Sequence, residues 1–555
     1  MSWEDVQALR KAARFREAID LALELLSQGH DRRVRTQLDW SWYGLIKELV
    51  RDMVAKLKAS QPIPSGDVTG LVNALRGYAR QPAIRPDNPV SNILREVSKV
   101  AGHLPPFPGF VRWVGIDGLA VEDWQYQERD GNTYRPVAIA VARGLAKWVK
   151  AHRDAEEADI ALAHEWLERI RPVARGDDAL WLDWDRALML RRMGDYRQAA
   201  ETLSSVLKAK RGEFWVWAEA ARLYADEQPD LAQACFCRAL QCGSEGKFAV
   251  NVHRELAVLL ADQQEYGQAS SEVAQAIEIR QQEGWSIDPP LQQLIDSAWY
   301  DPTSEGIEDP EAFYARHSPD ALVLCFDRVE AKPATYLGLL IPHTPKHPPP
   351  GWKPRPLPRF AILDERGQAV SLVGPGLRHL KYEVGTPLTV VIGKQNGDDR
   401  DTIVQVAPRP DGAPWDCTQP GAGVVVREAT ADKPMKVFIG RDTDDVSVDG
   451  AWIGKEPAFV GQGVRFKLTE NPKNGRKDLF AVEAGPMPDN DVKLVQGRLR
   501  RNPKGFAFVD DAFVPPHVVE TIANDVDEVA ALIVYAKHPT KDEYSWRAVK
   551  LSAAR

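Results

Sequence analysis

The sequence has few cysteines, and their spacing excludes two common structural roles. The five residues are Cys235, Cys237, Cys242, Cys325 and Cys417. Three of them lie close together in a stretch predicted to be helical, without the C-x-x-C pairs of a zinc site. An odd number without a regular framework argues against disulfides. We therefore expect reduced thiols packed in a protein core, no metal site and a cytoplasmic location.

Long apolar runs and known catalytic motifs are absent as well. No run of about 18 apolar residues occurs, and the opening stretch MSWEDVQALRKAARF is charged and lacks the apolar core of a signal peptide. The phosphate loop G-x-x-x-x-G-K-[ST], the dinucleotide pattern G-x-G-x-x-G and the nucleophile pattern G-x-S-x-G are all missing. We therefore predict no membrane span, no cofactor, no catalytic residue and a protein that is not an enzyme.

The charge balance is mildly acidic and does not indicate a general polyanion binder. The 555 residues carry a formal net charge of −8. Any contact with nucleic acid would therefore have to come from a local basic patch. Hydrophobic residues make up 44% of the chain, which is enough for packed cores. The length favours about three to four domains.

Residues 1 to about 300 are predicted to be almost wholly helical and contain a repeat. Three alanines that follow a turn are 33 and then 37 residues apart, and a second alanine precedes each of them by twelve residues. The pairs are Ala187 with Ala199, Ala220 with Ala232, and Ala257 with Ala269. Small residues at both points let two helices approach closely. The unit length resembles the tetratricopeptide repeat over residues 178–285, which implies an extended surface for a protein partner.

Beyond about residue 320 the pattern changes to short β-branched runs, the first of them at residues 322–324, separated by glycine, proline and aspartate turns. This pattern is typical of barrels or sandwiches. Three segments share one rhythm, in which each ends with a strand, a polar turn and a final strand. We interpret them as three copies of one barrel, at about 320–408, 415–486 and 491–555.

The most informative stretch lies in the third copy. Residues 504–509, KGFAFV, alternate at the two-residue period of a strand, which places Phe506 and Phe508 on one face. After a turn at residues 510–511, the next predicted strand carries Phe513 beside them. Four cations precede or open this stretch: Arg498, Arg500, Arg501 and Lys504. Rings beside cations can stack the bases and contact the phosphates of single-stranded nucleic acid.

Alternation alone leaves a second interpretation open, because one face of any strand must be buried. In that interpretation the three rings are the core of a small barrel. A resemblance favours binding: residues 504–509 and 511–515 resemble the two aromatic motifs of the cold-shock domain, in the variant found in exoribonucleases of the RNase R type. In that family the rings stack on single-stranded nucleic acid. The resemblance therefore implies the same role for Phe506, Phe508 and Phe513.

The sequence departs from the cold-shock pattern at three positions. Ala507 replaces a glycine, Pro515 replaces a histidine, and Arg501 lies near the position of a family tryptophan. The exoribonucleases keep their catalytic aspartates in a separate large domain, so their nuclease activity is not expected to accompany this stretch.

These patterns together predict a multidomain α + β protein. An N-terminal all-α helical-repeat array, similar to tetratricopeptide repeats, precedes about three small OB-like β-barrels. The predicted domains are 1–175, a helical domain with one repeat-like hairpin and an irregular insertion; 176–300, the repeats; 320–408 and 415–486, two OB-like domains; and 491–555, the cold-shock-like barrel.

Two functions remain as alternatives. In the first, the protein is a non-catalytic adaptor that holds a protein partner on its helical repeats and single-stranded RNA or DNA, with RNA favoured, on the last barrel. Its architecture resembles repeat proteins with cold-shock tails in bacterial stress or defence systems. In the second, it is a protein–protein scaffold whose barrels mediate assembly and bind no nucleic acid.

Overall fold

The structure is a computed structural model that describes residues 2–29, 31–80, 89–129, 131–243, 246–303, 308–341, 353–374, 377, 380–395, 398–448, 452–488, 490–538 and 543–554. The chain divides into two compact units, Met1–Cys325 and Phe326–Arg555. The first unit is helical and the second is rich in β-strands. The finer domain boundaries that we predicted from the sequence remain predictions.

The first unit consists of α-helices joined by short turns and 3-10 helices. In its described part the α-helices are α1 Trp3–Lys11, α2 Phe15–Gln28, α3 Arg32–Lys58, α4 Ser65–Ala79, α5 Val90–Val97, α6 Phe107–Val114, α7 Val137–Ala151, α8 Glu157–Ile170, α9 Gly176–Arg192, α10 Tyr196–Ala209, α11 Phe214–Tyr224, α12 Pro229–Gln241, α13 Gly246–Asp262, α14 Tyr266–Gln282, α15 Pro289–Ile295 and α16 Pro310–His317. The 3-10 helices are Ser98–His103, Ile116–Gly118, Val121–Trp124 and Ser318–Leu324, and a small hairpin pairs β1 Gln127–Arg129 with β2 Asn132–Tyr134.

The predicted repeats are present as three helix pairs, α9 with α10, α11 with α12 and α13 with α14. All six alanines that defined the repeat are at most 1% exposed. A methyl group at each of these positions lets the two helices of a pair, and neighbouring pairs, pack without a gap. The helical-repeat prediction is therefore confirmed.

In two of these pairs, the residue at the start of the second helix is one that favours helix initiation. The Asp195 carboxylate accepts a hydrogen bond from the Gln198 backbone N–H (3.0 Å) and caps α10. Pro229 is the first residue of α12. A backbone N–H at this position has no acceptor within the helix, so proline loses no hydrogen bond there. One local prediction was wrong: residues 322–324 are not a strand but the end of a 3-10 helix, and Leu322 is buried.

The second unit contains fifteen strands among its described residues, and we group them into three segments. The first segment is β3 Arg328–Leu340, β4 Leu357–Leu363, β5 Ala369–Val373, β6 Pro387–Gln395 and β7 Asp398–Pro408; the second is β8 Gln419–Arg427, β9 Met435–Phe438, β10 Val446–Val448, β11 Gly463–Glu470 and β12 Lys477–Ala484; the third is β13 Val492–Arg501, β14 Ala507–Val509, β15 Ala512–Val514, β16 Glu528–Lys537 and β17 Tyr544–Ala553, with the short helix α17 Pro516–Val519 after β15.

The three segments share one strand order. Each begins with a three-stranded meander, and its first strand then pairs on its other edge with the fourth, which pairs with the fifth. Each segment also has its own apolar core. The repeated β pattern in the sequence therefore corresponds to a repeated topology.

The segments differ in how the third strand meets the fifth. In the third segment, Phe513 of β15 pairs in parallel with Arg547 of β17, which closes a five-stranded barrel. In the second, Trp452, which follows β10 in the chain, forms one isolated parallel bridge with Val482 of β12. In the first, Val370 of β5 pairs instead with Glu470 of β11 in the next segment.

Because that strand edge is already used, the described strands of the first two segments form one ten-stranded sheet. The predicted fold class, a helical-repeat array followed by a β-rich region that contains a cold-shock-like barrel, is confirmed. The expectation of about three separate barrels is corrected, since one segment closes as a full barrel and the other two share a sheet.

Candidate nucleic-acid interface

The third segment builds a hairpin that differs slightly from the predicted one. Strand β14 begins at Ala507 and not at Lys504. The preceding residues form a tight turn, in which the Gly505 N–H donates to the Asn502 carbonyl (3.0 Å) and Gly505 has a φ of +88°. The Asn502 N–H donates to the Phe506 carbonyl (2.8 Å) and closes this turn, so Phe506 lies between the turn and the first residue of β14.

The alternation predicted from the sequence places the rings outside the barrel. Ala507, Val509, Ala512 and Val514 are at most 2% exposed and belong to the barrel core. Phe506, Phe508 and Phe513 point the other way and are partly exposed. None of the three rings is a member of that core. The interpretation in which these rings form the core of the barrel is therefore wrong.

The three rings form one cluster, which we call the phenyl platform (Phe506, Phe508 and Phe513). Phe508 and Phe513 are direct cross-strand partners, with ring centroids 6.0 Å apart. The Phe506 ring lies 5.7 Å from Phe508 and 5.6 Å from Phe513. Their planes meet at 45° to 88°, so the rings support each other edge to face and leave part of each aromatic surface accessible.

Two of the four predicted cations flank the platform on its own face of the sheet. Arg500 is the cross-strand partner of Phe508, and Arg498 lies two residues earlier on the same face of β13. Both side chains are exposed. The Arg500 guanidinium also donates to the Asp510 carbonyl, which holds it over the hairpin. Lys504 is exposed in the turn that precedes Phe506.

The fourth cation has a different position. Arg501 pairs with Ala507, whose side chain faces inward. Its guanidinium donates to the backbone carbonyls of Ala523 (2.8 Å) and Val526 (3.3 Å), in the connection that follows α17. These bonds fix the connection to the end of β13. The structure therefore does not bring Arg501 together with the other three cations.

Carboxylates limit the positive charge around the platform. Asp510 and Asp511 form the exposed turn between β14 and β15. Asp527 lies 3.5 Å from Arg498, and both side chains are largely exposed, so this pair contributes little. These three carboxylates balance the three exposed cations in number, and the aromatic surface is the more distinctive feature of the patch.

A further arginine borders the platform and was not identified from the sequence. Arg547 of β17 pairs with Phe513, which extends the cross-strand row from Arg500 through both rings. Its guanidinium lies 3.0 Å from both carboxylate oxygens of Asp445 in the second segment. The pairing of third and fifth strands joins residues far apart in the chain. The only indication of this arginine in the sequence is that the final predicted strand, YSWRAV, contains a cation.

In the first segment, the face that corresponds to the platform is covered by protein. On strand β4, Phe360 and Ile362 enter the segment's core, and Ala361 points outward. Ala361 is fully buried in a cluster that includes Phe480 and Cys417 of the second segment. The Arg359 guanidinium lies 5.1 Å from the centre of the Phe480 ring and adds a cation–π contact to this cluster.

The second segment is covered over part of the corresponding face. On strand β9, Val437 faces the core, and Phe438 points outward on the face that corresponds to that of Phe508, although by strand register Lys436, paired with Ser447, takes the place of Phe508. Phe438 is 1% exposed and packs against residues of the third segment: Leu532, Val534 and Val549. The fourth and fifth strands of one segment thus cover the first and second strands of the segment before it. No described residue of another segment packs on the phenyl platform in the clusters that cover the other two faces.

The cysteines are placed as the sequence indicated, in packed surroundings. Cys235, Cys237, Cys325 and Cys417 are buried, and Cys242 is partly buried. Burial raises the pKa of the Cys417 thiol to about 11 and that of Cys325 to about 12. In the described part of the chain, no three His, Cys, Asp or Glu side chains come together as metal ligands would. None of the described helices is long and apolar enough to cross a membrane.

The first unit offers a separate aromatic surface on the first helix of each repeat pair. Trp181 of α9 and Trp215 of α11 stack at 5.6 Å, and Phe214 of α11 stacks on Phe248 of α13 at 6.1 Å. Phe248 is 52% exposed. Consecutive pairs therefore present aromatic side chains along one edge, which is a composition that protein interfaces favour.

Comparison with known proteins gives two local family matches. Residues 493–551 match the family described as "S1/CSD-like domain 2 of the TOTE conflict systems". Residues 180–321 match a "Domain of unknown function (DUF7017)", which covers the three helix pairs and continues to the 3-10 helix Ser318–Leu324. A search of curated proteins found no match.

Several solved structures show weaker likeness. The C-terminal part of a TPR repeat-containing protein from Cytophaga hutchinsonii is 11% identical over 53% of this chain and 100% of its own, with a TM-score of 0.30. MamA from Desulfovibrio magneticus RS-1 is 12% identical over 36% and 99%, with a TM-score of 0.26. The CSD456 part of Drosophila Unr is 11% identical over 41% and 99%, with a TM-score of 0.14. These TM-scores are too low to support a conclusion about function.

The observed helix pairs and the match at residues 493–551 confirm both resemblances noted in the sequence. The chain combines a unit similar to tetratricopeptide repeats with a cold-shock or S1-like barrel. This combination indicates an adaptor role, in nucleic-acid binding or in protein interaction.

Proposed function

We propose that this protein is a non-catalytic adaptor that binds single-stranded nucleic acid, with RNA favoured, on the phenyl platform, and a protein partner on its helical repeats. The description of the family matched at 493–551 supports a place in a conflict system, which agrees with a role in bacterial defence. RNA is favoured because the platform motif resembles that of exoribonucleases.

The observation that supports the proposal most is the position of the three rings. A ring on the outer face of a β-sheet normally needs a partner, since leaving it in water costs free energy. On the outer faces of the other two segments, Phe438 and Ala361 are covered by protein. The third keeps three rings partly exposed beside Arg498 and Arg500, which is the combination that binds stacked bases and phosphates.

The double variant Phe506→Ala with Phe508→Ala tests the nucleic-acid part. A labelled oligo-U about twelve nucleotides long, within the range of ~4–16 that one OB fold covers, is titrated at low salt and followed by fluorescence anisotropy. At about 1–3 kcal/mol per stacked base, loss of two rings should weaken binding at least about thirtyfold. Oligo-dT of the same length establishes the preference between RNA and DNA.

Leu494→Ala provides the matched control. Leu494 is 66% exposed on the same outer face of β13, away from the rings, so its loss removes apolar surface without touching the platform. The control should bind oligo-U as the wild type does. Circular dichroism establishes that both variants are folded. The proposal would be contradicted if the wild type binds neither oligonucleotide, or if the folded double variant binds them as tightly as the wild type does.

A second candidate function follows from the covered faces. Because the first two segments each use this face to hold another β segment, the platform could hold a barrel of a partner protein instead. That is the scaffold alternative. Under it, the double variant would lose a protein contact, and oligo-U would neither bind the wild type nor compete with that contact.

For the helical repeats, we propose that the partner lies along the aromatic edge formed by Trp181, Trp215, Phe214 and Phe248. Phe248→Ala removes the most exposed of these rings that is described. It should weaken capture of the partner while leaving oligo-U binding unchanged, which separates the two halves of the adaptor.

A further inference from the structure

The first unit contains a second basic surface, far from the phenyl platform in the sequence and concave. A cavity of about 300 Å³ is lined by eight residues, of which five are cations and none is acidic: Arg95, Ser98, Lys99, Arg135, Pro136, Ala140, Arg143 and Lys147. We call it the basic pocket. Its size is at the lower end of the range in which small-molecule sites are found.

Close packing holds the walls of the basic pocket together. One wall is α5 and the 3-10 helix Ser98–His103, and the other is α7. Gly144 of α7 makes this approach possible, because a Cβ there would lie 3.1 Å from the Ser98 Cβ and 3.0 Å from the Phe107 ring. Ser98 itself is 4% exposed. Except for Arg135, which lies just before α7, the cations are therefore carried by helices that pack against each other.

Carboxylates next to the pocket orient some of the cations without neutralising all of them. Arg135 pairs with Asp178 at 2.6 Å, and Arg143 pairs with Asp185 at 3.3 Å. Glu96 lies 2.7 Å from Lys99. These three carboxylates lie beside the cavity and do not line it.

Two of the cations remain without an ion-pair partner among the described residues, namely Arg95 and Lys147. Partial burial lowers the pKa of the Lys147 ammonium, the charge of Arg143 lowers it further, and the carboxylate of Asp185 opposes these effects only in part. Like charges held together by packed helices repel each other. An anion in the cavity would relieve that repulsion.

We propose that the basic pocket binds a small molecule through a phosphate or pyrophosphate group. Guanidinium groups suit phosphate oxygens because they donate two parallel hydrogen bonds, and an ammonium group adds a point charge. A small ligand is favoured over a nucleic-acid strand because the cations surround a single concave site of limited volume and the lining includes apolar surface at Pro136 and Ala140. The proposal is independent of the phenyl platform.

The test uses the full chain and the paired variant Arg95→Gln with Lys147→Gln. These positions are chosen because neither change leaves a described carboxylate without its partner, which Arg135→Gln or Arg143→Gln would do. Inorganic pyrophosphate, ATP and adenosine are titrated separately by isothermal calorimetry. Wild-type protein should bind pyrophosphate with a Kd below about 1 mM, and the variant should bind at least about tenfold more weakly.

The control removes two cations elsewhere in the same unit, through Arg51→Gln and Arg197→Gln, whose side chains are 68% and 92% exposed. It has the same net charge as the test variant and should bind pyrophosphate as the wild type does. ATP binding that is tighter than pyrophosphate binding supports a nucleotide ligand, and equal binding supports the phosphate group alone. Adenosine binding as tight as ATP binding would overturn the proposal.

Two further results would also overturn it. One is the absence of pyrophosphate and ATP binding by the wild type. The other concerns nucleic acid: oligo-U is titrated into protein that carries the Phe506→Ala and Phe508→Ala changes, with and without Arg95→Gln and Lys147→Gln. If residual oligo-U binding depends on the basic pocket and pyrophosphate does not compete for it, the pocket serves a polynucleotide and not a small phosphorylated molecule.

Discussion

Phe438 and Phe508 both point outward from the second strand of their segments, in two copies of one topology, and we expect opposite effects when each is changed to alanine. Phe438 is 1% exposed and lies between the second and third segments. Phe508 is partly exposed, and its ring lies against the other two rings of the platform. Phe438→Ala should therefore reduce stability, whereas Phe508→Ala should reduce binding.

The magnitudes follow from burial. Removing a fully buried phenylalanine costs about 3–5 kcal/mol, because it leaves a cavity as well as losing apolar contact. A partly exposed ring costs less, about 1–2 kcal/mol, because burying a whole phenylalanine is worth about 1.5–3 kcal/mol. For a unit of this size each kcal/mol lowers Tm by about 2–4 °C, so Phe438→Ala should lower the Tm of the second unit by about 6–20 °C.

The assay follows both properties in the full chain. Because the chain has two compact units, hydrogen exchange followed by mass spectrometry is preferable to a single thermal midpoint. Phe438→Ala should speed exchange in peptides from β9 and β16, while oligo-U binding stays near that of the wild type at temperatures where the third segment is folded. Phe508→Ala should leave exchange in β9 unchanged.

Equal destabilisation by the two changes would refute this reasoning. It would mean that Phe508 is as firmly packed as Phe438, so the platform would be a protein contact and not a binding surface. A loss of oligo-U binding in folded Phe438→Ala protein, equal to that in Phe508→Ala protein, would refute it as well.

Two other predictions concern charge. If Arg498, Arg500 and Lys504 contact phosphates, log Kd for oligo-U should change with log salt concentration with a slope of about 2, and Arg500→Gln should reduce that slope by about 0.7. Anisotropy titrations over a range of salt concentrations measure the slope. An unchanged slope in the variant would exclude a phosphate contact by Arg500. Burial raises the pKa of the Cys417 thiol to about 11. Between about pH 8.5 and 11 the folded state therefore keeps a proton that the unfolded state loses. The free energy of unfolding should fall as pH rises through this window, by about 2 kcal/mol at about pH 10. Urea unfolding of wild type and Cys417→Ser at both ends of the window measures that loss, and a loss that is the same in both proteins would show that Cys417 is not its source.

Much of the helical unit was predictable because its signals are local. An alanine at a fixed distance from a turn marks the point where two helices meet, and all six alanines are buried where expected. The helix at Pro310–His317 follows an aspartate that caps it and a proline at its first position. Residues 322–324 misled the prediction because three apolar residues in a row fit a buried turn of 3-10 helix as well as a strand.

The candidate site was only partly predictable, because some of its features depend on distant residues. The face on which the rings lie follows from the two-residue period of the strand and needs nothing further. Arg501 was assigned to the binding face from its neighbours in the sequence, yet its position on β13 opposite Ala507 directs it to the connection after α17. Arg547 reaches the platform only through the pairing of β15 with β17, which the sequence does not display.

The same limit explains why alternation could not distinguish a binding platform from a buried contact. Phe438 and Phe508 both lie on second strands, both alternate with residues of a core, and both point outward. What separates them is the neighbour: the third segment covers Phe438, whereas Phe508 stays partly exposed among the residues that the structure describes. An outward ring in a repeated barrel is thus equally suited to holding the next copy or holding a base. The cations beside Phe508 then favour the base, because Arg498 and Arg500 would lose their water beneath a protein cover, whereas phosphates would pair with them.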